Sequence, residues 1–155
     1  MGEAFLAEEN VSSVDVGELG ELAGYHLRRA NNVFQAHFAQ TMEGTGIRQV
    51  LFGILSVVAR NPGINQGSVG RALGIQRANM VALINELVDS ELIDRQVSPD
   101  DRRAFALSLT EAGQSAFNDN LARIRAHEER LLAGLDARER EALLVLLAKI
   151  EARDG

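Results

Sequence analysis

Two short runs of side chains could do recognition chemistry. In the first, Gln76, Arg77 and Asn79 sit just ahead of an apolar helical pattern beginning at Met80. Gln and Asn amides can bond an adenine edge through two atoms, and Arg can bond guanine or a phosphate. The amides at a helix start add a favourable site for phosphate. The alternative is a short solvated turn, with Gln76 as a mediocre cap. In the second run, Asp100, Asp101, Arg102 and Arg103 form a polar tip between two apolar stretches. Arginine at such a tip suits a narrow minor groove, where negative potential concentrates. Asp101 can hold a neighbouring arginine extended through a charge-assisted bond. The alternative is an ordinary charged turn. Arg71 and Arg95 flank these runs as further candidate phosphate contacts.

A third group could take a small ligand. His26 and His37 are eleven residues apart, close to three helical turns, so one helix would place them on one face. Tyr25, Arg29, Phe34, Phe38 and Phe52 could lie nearby. A largely apolar pocket with a few polar groups suits a small aromatic molecule. The alternative is a pair of core or interface histidines satisfied by hydrogen bonds. Catalytic patterns are missing: the chain has no GxGxxG, P-loop, HExxH or nucleophile elbow, and no enzyme is expected. With no cysteine, and with His26, His37 and His127 forming no compact ligand set, neither a metal nor a cofactor is expected.

The elements that must position these groups follow from periodicity. Apolar residues from Leu19 to Phe38 recur at three- and four-residue steps, which predicts a first helix over 18–43, ended by Gly44 and Gly46. A second helix is expected over 48–60, with Val50, Leu51, Ile54, Leu55 and Val58 inward. Asn61-Pro62-Gly63 stops it. Asn65 can cap a short helix near 66–73, facing the core through Val69, Ala72 and Leu73. Gly74 supplies a turn into a helix over 76–89 that buries Met80, Leu83, Ile84, Leu87 and Val88. The period then changes. Leu92, Ile93 and Val97 suggest one strand, and Phe105, Leu107 and Leu109 a second. Thr110 caps a helix over 111–133. Asp136 with Glu139 starts a last helix, 137–152.

The order is therefore helix, helix, helix-turn-helix, hairpin, helix, helix, within 155 residues, enough for one compact core. The outer helices look too apolar for a monomer. Leu143, Leu144, Leu146, Leu147 and Ile150 cover a wide sector of the last one, and a second copy is the simplest supplier of cover. The start carries acids rather than a basic leader, and no apolar run could span a bilayer. A cytoplasmic protein without a membrane partner is expected.

Net charge is −6, whereas a generic electrostatic nucleic-acid binder would be basic. Residues 64–110 hold five arginines (71, 77, 95, 102 and 103) against six carboxylates, net −1. DNA affinity must then depend on where those arginines sit.

The helix pair, glycine turn and hairpin form a DNA-reading geometry, with the second helix suited to the major groove. Residues 62–113 closely resemble the winged-helix core of MarR-type regulators. The motif carrying the resemblance is Asp101, Arg103, Leu107, Leu109, Thr110 and Gly113. One departure is Ala82, where many relatives have a basic residue. The resemblance implies a mainly α fold with a small β-wing: a winged helix-turn-helix core at 47–110, dimerisation helices at 18–43 and 111–153, and a loose arm at 1–16, so that 17–155 form one unit. It implies a homodimer on a palindromic operator in double-stranded DNA, usually a repressor, released by a small, often aromatic, effector. The core is also similar to regulators of aromatic-acid degradation, some of which answer to an aryl-CoA thioester. Arg28, Arg29, Arg123 or Arg125 could hold the phosphates of such a ligand. A dimeric winged-helix adaptor without an effector is the alternative function.

Overall fold

A computed structural model describes residues 14–98 and 105–152. The described residues fall into two compact units, one ending at Gln35 and the other starting at Ala36.

In the first unit, a 3-10 turn at Gly17–Glu21 precedes the start of α1, Ala23–Thr41, whose residues from Ala36 onward belong to the second unit. The expected continuous helix from residue 18 is therefore broken. Leu22 is extended (ψ 118°), and Gly17 has φ 59°, a left-handed conformation that glycine adopts at little cost. The side chain of Asp15 accepts from Gly17 N at 2.8 Å. Periodicity alone did not register this interruption, because Leu19 and Leu22 keep the helical spacing on both sides of it. Both are exposed, as are Leu27 and Val33 on α1.

The second unit holds a complete core. Helix α2, Gln49–Arg60, buries Leu51, Ile54, Leu55 and Val58. It packs on α3 (Gln66–Leu73), on α5 (Glu111–Leu131) and on the sheet. Asn65 Oδ1 caps α3 by accepting from Ser68 N at 2.9 Å. Gly74, at φ 65°, ends α3 and turns the chain into α4, Arg77–Asp89, which buries Met80, Ile84 and Leu87. Gly70 gives α3 and α4 a close approach. A Cβ there would lie 3.0 Å from Met80 Cγ and 3.1 Å from the Ile75 carbonyl oxygen. Ala72, expected in the core, is exposed instead. Val69 and Gly70 are the buried residues of α3.

The sheet has three antiparallel strands in the order β1-β3-β2. Strands β2, Ile93–Val97, and β3, Phe105–Leu109, were expected. The two-residue β1, Ile64–Asn65, was not, because two residues show no periodicity. Ile93 and Leu107 are buried, while Val97 and Phe105, paired at the far end, are exposed. The hairpin thus leaves the core after its first pairs.

Thr110 caps α5, accepting from Gly113 N at 2.9 Å and donating to the Glu91 carbonyl at 2.6 Å. Gly113 cannot carry a side chain, since a Cβ would fall 1.9 Å from the Leu92 carbonyl oxygen. Helix α6, Ala137–Glu151, starts with the expected capping box of Asp136 and Glu139. Arg140 locks the turn before it, donating to the Leu135 and Leu132 carbonyls at 3.1 and 2.9 Å and to Glu129 at 2.6 Å. That pairing lowers the Glu129 pKa and raises that of Arg140. Helix α6 buries none of its residues. Among the described residues, no helix is long and apolar enough to cross a membrane.

Candidate nucleic-acid interface and ligand clusters

The sequence places Gln76 and Arg77 at the start of α4 because Gly74 and Ile75 turn the chain there. Gln76 is the N-cap, in extended conformation, and its side chain makes no capping bond. Its amide is therefore not committed to the helix end. Arg77 and Asn79 are exposed on the first turn.

A cleft of about 720 Å³ opens beside this turn. Its walls include Asn65, Arg71, Gln76, Arg77, Arg95 and Phe105. Four of the expected DNA contacts (Arg71, Gln76, Arg77 and Arg95) therefore line one concavity, while Asn79 is not part of its wall. Arg71 donates to Ser68 Oγ at 2.8 Å, one turn back on α3. Arg95 donates to Asn85 Oδ1 at 3.0 Å, with its guanidinium carbon 4.8 Å from the Phe105 ring centre. Sequence reading missed Asn85 and gave Phe105 only a strand role. Both depend on how the hairpin folds back on α4. Asp101, Arg102 and Arg103 lie outside the described residues.

Local electrostatics are less acidic than the segment count suggests. Glu86 on α4 pairs with Arg48, which precedes α2 and was not counted. Asp94 accepts from Gln96 Nε2 at 3.0 Å. Neither carboxylate lines the cleft.

The residues expected to hold an effector are divided between the two units. In the first unit, Tyr25 lies edge-on to His26, with ring centres 5.4 Å apart. Arg28 and Arg29 both stand 5.7 Å from the Tyr25 ring centre. A His26 ring nitrogen is 2.8 Å from the Gly20 carbonyl oxygen. In the second unit, His37 stacks on His127, ring centres 5.8 Å apart and planes 21° apart. Phe52 stacks on Phe117 at 5.6 Å, and Phe38 packs on the core. Arg123 is exposed on α5. The His127 contact was missed, since His37 and His127 lie far apart in sequence and meet only once α1 and α5 pack. His127 is instead buried. Burial lowers its pKa, with His37 and Arg130 adding in the same direction and Glu128 opposing. Among the described residues, no group of three or more His, Cys, Asp or Glu could hold a metal.

Comparison with known proteins agrees with the winged-helix fold. The family model described as "MarR family" matches residues 46–104. A putative transcriptional regulatory protein for the hcr operon of Thauera aromatica is 31% identical over 150 residues, covering 96% of this chain and 90% of its own. Among solved structures, the transcriptional repressor CouR bound to a 23-mer DNA duplex is similar, with a TM-score of 0.84 and 35% identity, over 89% of this chain and 98% of that one. CouR bound to p-coumaroyl-CoA is similar too, with a TM-score of 0.77 and 33% identity, over 89% and 97%. The chain belongs to the MarR family of winged-helix transcriptional regulators.

Proposed function

We propose that this regulator is a repressor that binds a palindromic operator as a homodimer in the cytoplasm and leaves it when an aromatic acid or its CoA thioester binds. The observation that carries the DNA part is the cleft beside the start of α4, where Arg71, Arg77 and Arg95 converge with Gln76. Arginine forks bond phosphates, and Gln76 and Asn79 suit base edges. Arg102, Arg103 and Asp101 are proposed to extend the contact into an adjacent minor groove. The wide apolar exposure of α6 at Leu144, Val145, Leu146 and Ile150 supports the homodimer. Two copies would present two reading helices to half-sites about 10 bp apart, or a multiple of that.

The effector reading draws on CouR, which was solved with p-coumaroyl-CoA. In the second unit, the proposed aromatic contacts are His37, Phe38 and Phe52, with Arg123 as a cation. In the first unit, Tyr25, His26, Arg28 and Arg29 make a cationic aromatic cluster of the kind that takes phosphate or carboxylate. A ligand releases DNA only if it prefers the DNA-incompetent state.

The test is a gel shift at several salt concentrations on DNA upstream of the chain's own gene, repeated with p-coumarate and p-coumaroyl-CoA. Binding that weakens with salt and is released by one of the two supports the proposal. Binding unaffected by a panel of aromatic acids and their thioesters removes the effector part. No binding to any duplex removes the whole reading.

A further inference from the structure

Within the hairpin, one residue breaks the pattern of its face. Strands β2 and β3 pair Ile93 with Leu109, Arg95 with Leu107, and Val97 with Phe105. Alternation puts these six residues on one side of the sheet. Five are apolar, and Ile93 and Leu107 on this side are buried in the core. Arg95 is the exception. A charged residue in an apolar row lowers local consistency, and such departures concentrate at functional positions.

The structure shows what accommodates it. Arg95 is diagonal to Phe105 across the strand pair, a separation that long and aromatic side chains can bridge. Its guanidinium carbon lies 4.8 Å from the Phe105 ring centre, within cation–π range. From the other side, Asn85 on α4 accepts from Arg95 Nη1 at 3.0 Å. This side chain is gripped by two elements and forms part of the wall of the arginine cleft beside the start of α4.

We infer that Asn85 and Phe105 are positioning residues that hold Arg95 ready for a DNA phosphate at the junction of α4 and the wing. This rests on the DNA-binding reading above. The choice of amide matters. A carboxylate at position 85 would orient Arg95 equally well but would offset its charge, as Glu86 does for Arg48 one residue further on. Asparagine orients the fork and leaves the positive charge in place. The bond to Asn85 uses one of five guanidinium donors, so most of the fork remains for the ligand. A long arginine held in advance also loses less rotamer freedom on binding.

The test uses the full chain and two duplexes: one selected from a randomised pool by the unmodified protein, and one of arbitrary sequence. Fluorescence anisotropy gives affinity against salt. Arg95→Ala is expected to weaken both duplexes by a similar factor, on the order of tenfold, and to flatten the slope of log K against log salt by about one. Asn85→Ala is expected to weaken both about threefold, and to have no further effect in the Arg95→Ala background. Phe105→Leu should behave like Asn85→Ala, while Phe105→Tyr, which keeps the ring, should bind like the unmodified protein. Asn85 and Phe105 are exposed, so these variants should fold, and a thermal melt of each checks it. Equal losses from Asn85→Ala with and without Arg95 would overturn the positioning role. An Arg95→Ala protein with unchanged affinity and slope would overturn the phosphate contact while leaving the DNA-binding reading intact. Failure of the unmodified protein to select any duplex would overturn both.

Discussion

Helices α4 and α6 are similar in length, 13 and 15 residues, and both are rich in apolar side chains, but they meet different surroundings. Helix α4 buries Met80, Ile84 and Leu87 within its own chain, packs Leu83 and Val88 against the same core, and lines the arginine cleft with Arg77, Met80 and Val81. Helix α6 buries nothing, and leaves Leu144, Val145, Leu146 and Ile150 between 48 and 69% exposed. The reading head is thus a finished structure in one chain. The last helix carries apolar surface that only another surface can cover.

The strongest way to probe that contrast is to weaken each side in turn. Leu55→Ala removes a fully buried side chain from α2, and should lower unfolding free energy by about 2–5 kcal/mol in chemical denaturation. The m-value should stay unchanged if the head unfolds as one unit. A loss under about 1 kcal/mol would mean that the core closes around the gap more readily than its packing implies. On the other side, Leu144→Asp should leave the head folded and act on association. A charge buried without a partner costs several kcal/mol. Sedimentation should therefore show the variant as a 16.8 kDa species at concentrations where the unmodified protein, if it forms the proposed homodimer, sediments at twice that mass. Unchanged sedimentation would place the α6 face outside the dimer contact.

A finer comparison lies within the recognition turn. Gln76 lines the cleft and Asn79 does not, although both are exposed. Replacing either with alanine should weaken a selected operator by about 1–3 kcal/mol and random duplex much less. If Gln76 reads the bases at the cleft mouth and Asn79 reads others, each variant should relax specificity at different operator positions. Equal losses on both DNAs would show that these amides do not read bases.

Much of the reading head was legible in the sequence because its signals are local. The Asn65 and Thr110 caps each act within three residues, as does the Asp136 cap of α6 outside the head, and glycine at 74 marks a turn that backbone geometry then requires. Contacts set by long-range folding were not legible. Arg95 meets Asn85 and Phe105 only once the hairpin register is fixed, and His37 meets His127 only through α1 and α5. The 3-10 turn ahead of α1 was hidden for the opposite reason. Its leucines keep the helical spacing while the backbone between them does not.

The smallest expected effect concerns that histidine contact, and it compares a buried ring with its exposed neighbour. His127 is 2% exposed, and His37, stacked on it, is exposed. Burial disfavours the charged form of His127, and its pKa falls below the ordinary value of 6.5, with His37 and Arg130 pushing the same way against Glu128. The folded state therefore binds a proton less readily than the unfolded state does. Above the ordinary value both states are neutral at this ring, and its contribution to stability is fully present. As pH falls below that value, the unfolded chain takes up the proton first, and stability is lost progressively down through the folded pKa. The check is denaturant unfolding across roughly pH 5 to 8 for the unmodified protein and for His127→Gln, which keeps a polar side chain but cannot titrate. The unmodified protein should lose more stability than the variant on the acidic side, and the two curves should run parallel on the alkaline side. Curves parallel throughout would mean that His127 is protonated as easily in the folded protein as in the unfolded one. The stack with His37 would then impose no cost on the charged ring.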